Sequence, residues 1–466
     1  MKKGNALNKR IFQLVFPMAF SQFMLALVSA SDAVMLGRLD QNAMAAVSLA
    51  SQVTFVFNLF MTAFVIGENM FVAQYYGKKD FLNISRICSL VLFIGCMAGV
   101  LFCAGAVLFP KNIMRFFTND AGLAEMGRDY LKYVGISYIL SAIAQVYMTI
   151  MKNCGTVNLS TVISSITVIL NIFLNAVFIF GLWGFPAMGI KGAAVATVTA
   201  TAFQAIGSVV YVAVKMKFLK FHLPGPENDL AKRFRDKTVP VLLNELVWGG
   251  GFTMYSVIMG HLGTDAVAAN SIANISKNMV ICLCLGLGNA AGIIVGNELG
   301  VGHFDKAKEA GRMLTKASIL CGVLSGLFLL AVSPVIMGAV NLTYEARGYL
   351  RGMLFISSYY LAGKSINSMT IGGIFPAGGD SKFGLLCDTV TLWCVTIPLG
   401  CLCAFWLKLP VLAVYFVLNL DEIVKLPVVY RHYKKYGWVN NLTNGGHGNE
   451  RNERKNAYRR TLSSGG

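Results

Sequence analysis

The chain has 466 residues, 56% of them hydrophobic and 13% charged, with a formal net charge of +18 and a mean hydropathy of +0.61. Water-soluble domains carry roughly a quarter charged residues, so this composition excludes a soluble fold, and length alone gives no domain count. The basic excess does not mark a nucleic-acid binder, because the lysines and arginines fall mainly in alternate loops between apolar runs.

A basic start (Lys2, Lys3, Lys9, Arg10) leads directly into a long apolar stretch. No small-residue cleavage site ends that stretch at signal-peptide length, so it reads as an uncleaved first span. At roughly 20 apolar residues per crossing, twelve helical spans are expected: 11–37, 45–74, 87–109, 128–151, 159–181, 191–214, 239–261, 266–296, 313–335, 347–371, 384–406 and 409–430. The runs are continuously apolar rather than alternating, which argues against a β-barrel. Most of the eleven cysteines lie inside these runs, without metal-ligand spacing, and read as small apolar side chains.

The basic residues set the expected orientation. The N-terminus, the loop with Lys78, Lys79 and Arg86, the segment from Lys215 to Lys237, the loop with Lys306, Lys308 and Arg312, and the tail outweigh the loops between them. The positive-inside rule then puts both termini in the cytoplasm of a multi-pass plasma-membrane protein. From Gly437 onward the tail is polar, basic and without apolar periodicity, and it is expected to be disordered.

An internal repeat runs at a constant offset of 223 residues. It pairs Pro17 with Pro240, Gly37 with Gly260, Ala43 with Ala266, Ala45-Ala46 with Ala268-Ala269, Ser48 with Ser271, Ala50 with Ala273 and Gly77 with Gly300. Two six-helix lobes of the same orientation follow, 1–216 and 239–430, joined by a cytoplasmic linker over 217–238 and followed by a tail over 431–466. Parallel repeats of this kind enclose a cleft between lobes and favour alternating access.

Read in order, these motifs resemble the multidrug and toxin extrusion (MATE) family. They are Pro17, Asp32-Ala-Val-Met-Leu-Gly37, Ala45-Ala46-Val47, Ala73-Gln74-Tyr-Tyr-Gly77, Asn171-Ile-Phe-Leu-Asn175, Gly192-Ala-Ala-Val-Ala-Thr197, Gly378-Gly379-Asp380 and Trp393-Cys-Val-Thr-Ile-Pro398. Asn244-Glu245-x-x-Trp248 and Lys364 look more like its DinF-like bacterial branch. The resemblance implies two six-helix bundles around a central cleft, and antiport of H+ or Na+ against amphipathic organic cations or drugs. It implies no other cofactor and a small-molecule substrate; the protein is expected to act in the bilayer as a monomer, and not as an enzyme.

A carboxylate at the bilayer centre costs roughly 2.5–3.5 kcal/mol, so each one asks for a reason. Asp32 lies about 12 Å from the outer end of the first span, at 1.5 Å per residue. It is the candidate coupling residue, with capping of nearby backbone as the plain alternative. Asn171 and Asn175 share one helix face, and Thr197 is a weaker member of the same set. Where the family's archaeal-type pattern often has an aspartate, Asn175 cannot titrate. In the second half Glu245, Lys277 and Lys364 form a polar set. Glu245 and Lys364 differ in depth by only ~3 Å, so they are expected to pair, with Lys277 as the rival. Glu68, Asp388, Asp421, Glu422 and Lys425 lie nearer helix ends, where snorkelling or interfacial pairing would account for them. Pro17 and Pro240 break the backbone ladder at matching places and are the candidate hinges.

Two other functions compete with drug export. A flippase for a lipid-linked precursor would need several basic residues in the cleft, and only Lys277, Lys364 and Lys425 read as intramembrane, the other basic residues falling toward span ends. A receptor or enzyme finds no support, since no metal cluster, nucleophile elbow or phosphate loop is present in the sequence.

Overall fold

Apolar runs as long as a bilayer is thick leave the backbone few ways to satisfy its N–H and C=O groups, and this chain does so with helices. The structure is a computed structural model that describes residues 2–222, 229–340 and 342–443, without a strand among them. The first half comprises α1 (Lys2–Leu39), α2 (Gln41–Lys78), α3 (Phe81–Leu108), the short amphipathic α4 (Pro110–Phe117), α5 (Ala121–Asn153), α6 (Val157–Phe180) and α7 (Ile190–Lys215). The second half opens with α8 (Asp229–Gly260), α9 (Thr264–Val301), α10 (Phe304–Ala339) and α11 (Tyr344–Met369).

The rest of the second half is broken. A wide π-type turn over Thr370–Ile374 joins α11 to α12 (Phe375–Ala377), and another over Val390–Thr396 joins α13 (Ser381–Thr389) to α14 (Ile397–Cys401). Each sits two residues ahead of a proline, Pro376 or Pro398. A proline offers no N–H and its ring presses on the carbonyl one turn back, so the helix widens there. After a third wide turn, Leu402–Trp406, come α15 (Val411–Leu418), α16 (Asp421–Val424) and α17 (Leu426–Lys434). Among the described residues nine helices are long and apolar enough to cross a membrane. The stretches that fall short carry Glu245, Lys364, or Asp421, Glu422 and Lys425.

The repeat appears in the helix starts. Gln41, Phe81 and Ala121 open α2, α3 and α5, and Thr264, Phe304 and Tyr344 open their mates 223 residues later. Ala46 and Ala50, with their mates Ala269 and Ala273, are wholly buried. Each half has its own apolar core, around Phe57, Tyr138 and Val146 in the first and Leu329, Leu354 and Phe375 in the second. The N-terminal parts of α1 and α8 cross over. Ile11, Leu14 and Val15 pack on the second-half core, while Leu230 and Phe234 pack on the first-half core.

Two boundaries differ from the sequence reading. The expected linker 217–238 is shorter, because α8 already begins at Asp229, whose carboxylate sits 3.0 Å from Arg233 one turn on and favours the helix N-terminus. The tail over 431–466, expected to be disordered from Gly437 onward, is ordered to 443. Trp438 is fully buried on Tyr433, ring centroids 5.6 Å apart, and donates through Nε1 to the Tyr433 carbonyl. One large anchored aromatic fixes a segment whose other residues lack apolar periodicity. Residues 444–466 of that tail, and 223–228 of the linker, lie outside the described residues.

Beyond Trp438 the chain forms a strap across both halves. Gln74 of α2 donates to the Asn440 carbonyl at 3.1 Å and accepts from the Leu442 N–H at 2.6 Å, while Asn441 donates to the Leu299 carbonyl of α9 at 2.9 Å. Beneath the strap, α2 and α9 cross in backbone contact. A Cβ on Gly77 would strike the Asn297 carbonyl, and one on Gly300 would strike the Gln74 carbonyl. Since 74 and 297 are repeat mates, as are 77 and 300, the same contact is made twice about the pseudo-axis. Gly296 against Ala73 lies on that axis.

Gly77→Leu and Gly300→Leu should therefore destabilise the protein to similar degrees, each by about 1–3 kcal/mol or more from overpacking. Thermal unfolding of the purified variants measures this, and an unshifted midpoint for either would contradict the crossing geometry.

Candidate functional site

In the first half the polar residues meet between α1 and α6. Asn175 Nδ2 donates to Asp32 Oδ1 at 2.5 Å and to Asn171 Oδ1 at 3.2 Å. Both asparagines are buried and Asp32 is half-buried. The i, i+4 spacing on α6 makes the chain of amides possible, and α1 supplies the acceptor at its end. Thr197 does not join it in this structure; its hydroxyl donates to the Ala193 carbonyl one turn back on α7. Pro17 lies inside α1 and Pro240 inside α8. At the first, Thr161 of α6 donates to the Pro17 carbonyl at 3.1 Å, so the α1 break is tied to the helix that carries Asn175.

The second half holds an ionic network. Lys364 Nζ contacts Glu422 Oε1 at 3.0 Å; Lys425 Nζ contacts Glu422 Oε2 at 3.0 Å and Asp388 Oδ1 at 2.8 Å. Asn367 donates to both the carboxylate and the carbonyl of Glu422 at 2.7 Å. Lys277 donates to Asn419 Oδ1 at 3.5 Å and lies over the Tyr360 ring at 4.6 Å. Lys364 lies over Trp248 at 5.3 Å, and Trp248 stacks on Phe252, which faces Phe55 of α2.

The expected ion pair of Glu245 with Lys364 or Lys277 does not form. Lys364 binds Glu422, Lys277 binds Asn419, and among the described residues Glu245 has no ion pair. Depth along a helix fixes height but not azimuth, and the partner came from the chain's end rather than from α8. Asp388, Asp421, Glu422 and Lys425 are likewise buried, not interfacial. The cause is a break at Asn419-Leu420, where the Asn419 amide donates to the Tyr415 carbonyl and competes with the helix ladder. The break sets α16 inside the bundle, with the Glu422 carbonyl close against Gly363. The wide turns act in the same way, following Lys364 and Asn367 on one helix and Asp388 on the other. An i, i+3 Glu422/Lys425 pair beside Asp421 in an apolar run is the sequence signal that could have found this set. Glu68, also read as terminal, is fully buried in α2, and neither of its oxygens has a hydrogen-bond partner. Among the described residues no group of three His, Cys, Asp or Glu side chains could hold a metal ion.

The family model MatE matches residues 17–177 and 240–402, once in each half, with starts again 223 residues apart. The "Probable multidrug resistance protein NorM" of Thermotoga maritima is 22% identical over 431 residues, covering 90% of each chain. The "Probable multidrug resistance protein YoeA" of Bacillus subtilis is 23% identical over 409 residues, 85% of this chain and 86% of its own. Among solved structures, a mutant of the Vibrio cholerae MATE transporter VcmN matches with a TM-score of 0.85 at 18% identity, covering 94% of this chain and 100% of the other. A MOP superfamily transporter from Pyrococcus furiosus, whose reversed binding-pocket polarity is said to suggest a different function, matches with a TM-score of 0.84 at 17% identity, covering 92% and 95%.

Removing one member of a buried ion network leaves the others charged and unpaired. Glu422→Gln should cost about 3–5 kcal/mol of stability, whereas Glu245→Gln, with no ion pair to lose, should cost less than about 1 kcal/mol. Denaturation midpoints of the two purified variants compare them directly; equal losses would contradict the network.

Proposed function

The chain belongs to the MatE family, and from that premise we propose that it is a secondary exporter of amphipathic organic cations or drugs, driven by H+ or Na+ through alternating access. The family's transporters act in the membrane on small molecules. The observation that carries the finer reading is the Asp32–Asn175–Asn171 chain: a half-buried carboxylate whose hydrogen-bond partner is a neutral amide. A neutral donor orients the carboxylate without cancelling its charge. Asp32 thus stays available to a proton, a sodium ion or a cationic substrate, and competition among them is what couples ion entry to drug exit.

Alternation needs two halves that can rock. Several close approaches between them (Gly67 on Thr238, Gly296 on Ala73, Gly77 on Asn297 and Gly300 on Gln74) lie toward the end of the molecule where α2 and α9 terminate, and others, Gly286 on Ala19 and Gly249 on Leu59, lie deeper. On the positive-inside reading this end is cytoplasmic, so the arrangement is closed to the cytoplasm, and Asp32 lies toward the opposite end of α1. Bending at Pro17, with Thr161 carrying the motion to α6, would change the exposure of Asp32. The aromatic line Phe55, Phe252 and Trp248 between α2 and α8 suits planar cations, which are attracted to ring faces. The flippase reading loses support, because Lys364 and Lys425 are already bound to carboxylates and offer no free pair to a pyrophosphate.

Asp32→Asn keeps size and hydrogen bonding but removes the charge. It should express normally and lose uphill efflux in proteoliposomes under either an imposed pH gradient or an imposed sodium gradient; whichever gradient drives the unsubstituted protein identifies the ion. Retained efflux with unchanged ion dependence would remove Asp32 from coupling. Orientation is tested separately, by a single cysteine at exposed position 232 in a thiol-free background. An impermeant maleimide added to intact cells should leave it unlabelled, and labelling would reverse the topology.

A further inference from the structure

A cavity of about 630 Å³ opens on the flank of the molecule between α2, α3 and α8. That volume lies within the ~300–1,000 Å³ typical of sites for small ligands. Lys232 and Arg235 stand at one end, while Phe64, Leu90, Ile94 and Leu242 line the other. Lys232 and Leu242 are ten residues apart on one helix, so the polar and apolar ends are separated by about 15 Å. Val239 on the wall is 43% exposed, and Leu243 continues the same apolar face outward at 46%. In a protein that sits in a bilayer, such a flank faces lipid.

We propose that this cavity is a binding site for an anionic phospholipid, its phosphate between Lys232 and Arg235 and one acyl chain against Leu90, Ile94 and Leu242. Two observations meet here. Residues 229–237 hold Lys232, Arg233, Arg235 and Lys237 against Asp229 and Asp236. Asp229 is taken by Arg233, Arg235 shares Asp236, and Lys232 has no acidic partner among the described residues. Basic pockets between spans on the cytoplasmic side bind anionic headgroups. Finally, two of the walls belong to the first half and one to the second, so the occupant bridges the halves at the end where they close.

The site rests on membrane embedding and on the proposed cytoplasmic placement of this end, and its test reads binding rather than transport, so its failure would leave the exporter reading untouched. The purified full chain in neutral detergent is titrated with phosphatidylglycerol, with phosphatidylcholine of the same acyl chains, and with inorganic phosphate, and retained lipid is counted by native mass spectrometry. Phosphatidylglycerol should be held about thirtyfold more tightly than phosphatidylcholine, from two basic side chains each attracting the headgroup. Lys232→Gln with Arg235→Gln should bring the two lipids level. Leu90→Trp, which fills the apolar end, should remove both, and Val239→Trp does the same from the exposed side should the first variant fail to fold. Equal retention of both lipids, insensitive to the double variant, would reduce the cavity to ordinary lipid contact. Displacement of phosphatidylglycerol by inorganic phosphate would make it an anion site without a lipid.

Discussion

The architecture depends on one close contact, the backbone-to-backbone crossing of α2 and α9. Carbonyls of one helix occupy the space that a side chain on the other would need, at Gly77 and again at its mate Gly300. Contact this close relies on dispersion and small residues, which is how helices associate in a solvent as apolar as themselves. Each half carries its own core, so the crossing is not needed to build either one. It is needed to fix where they meet. Because it lies on the pseudo-axis, a displacement there is felt by both halves alike.

The two halves share a plan but differ in chemistry. The first places a carboxylate against neutral amides, and the second ties two lysines to two carboxylates and an asparagine within a few ångströms. A buried ionic network gains little net stability over apolar packing, yet it is strongly destabilised when one member is lost. Such a network suits a lobe that keeps its internal shape. A single carboxylate with neutral neighbours is the more responsive arrangement, since the arrival of one ion changes its balance. Breaks in the helix ladder accompany both: Pro17 lies about four turns from Asp32 on the same helix, and the wide turns before Pro376 and Pro398 lie beside the second.

Much of this was legible in the sequence because it follows from period and repetition. Continuous apolar runs gave the helices, and the 223-residue offset gave two halves whose helix starts keep that spacing. The four-residue spacing of Asn171 and Asn175 gave their shared face. What could not be read was azimuth and interruption. Glu245 and Lys364 have matching depths, but the direction of a side chain around its helix depends on packing, and Lys364 turns to Glu422. Asp421, Glu422 and Lys425 looked terminal because a straight helix would leave them near an end; the break at Asn419 turns them inward. Glu68 misled for a related reason, since α2 continues past the expected boundary and buries it. The strap was missed because a single tryptophan anchors it, and periodicity cannot register one residue.

That strap has a consequence for how the molecule is assembled. The bond between Gln74 and Leu442 joins residues 368 positions apart, so it closes a loop almost as long as the described chain. Contacts of such separation form late, because the chain must lose most of its freedom before they can be made. During synthesis α2 and α9 can meet as soon as both have left the ribosome, but the segment that braces their crossing does not yet exist. The two halves therefore pass through a stage in which they touch without being fastened. The finished brace is added by a stretch of chain that emerges after every helix it holds.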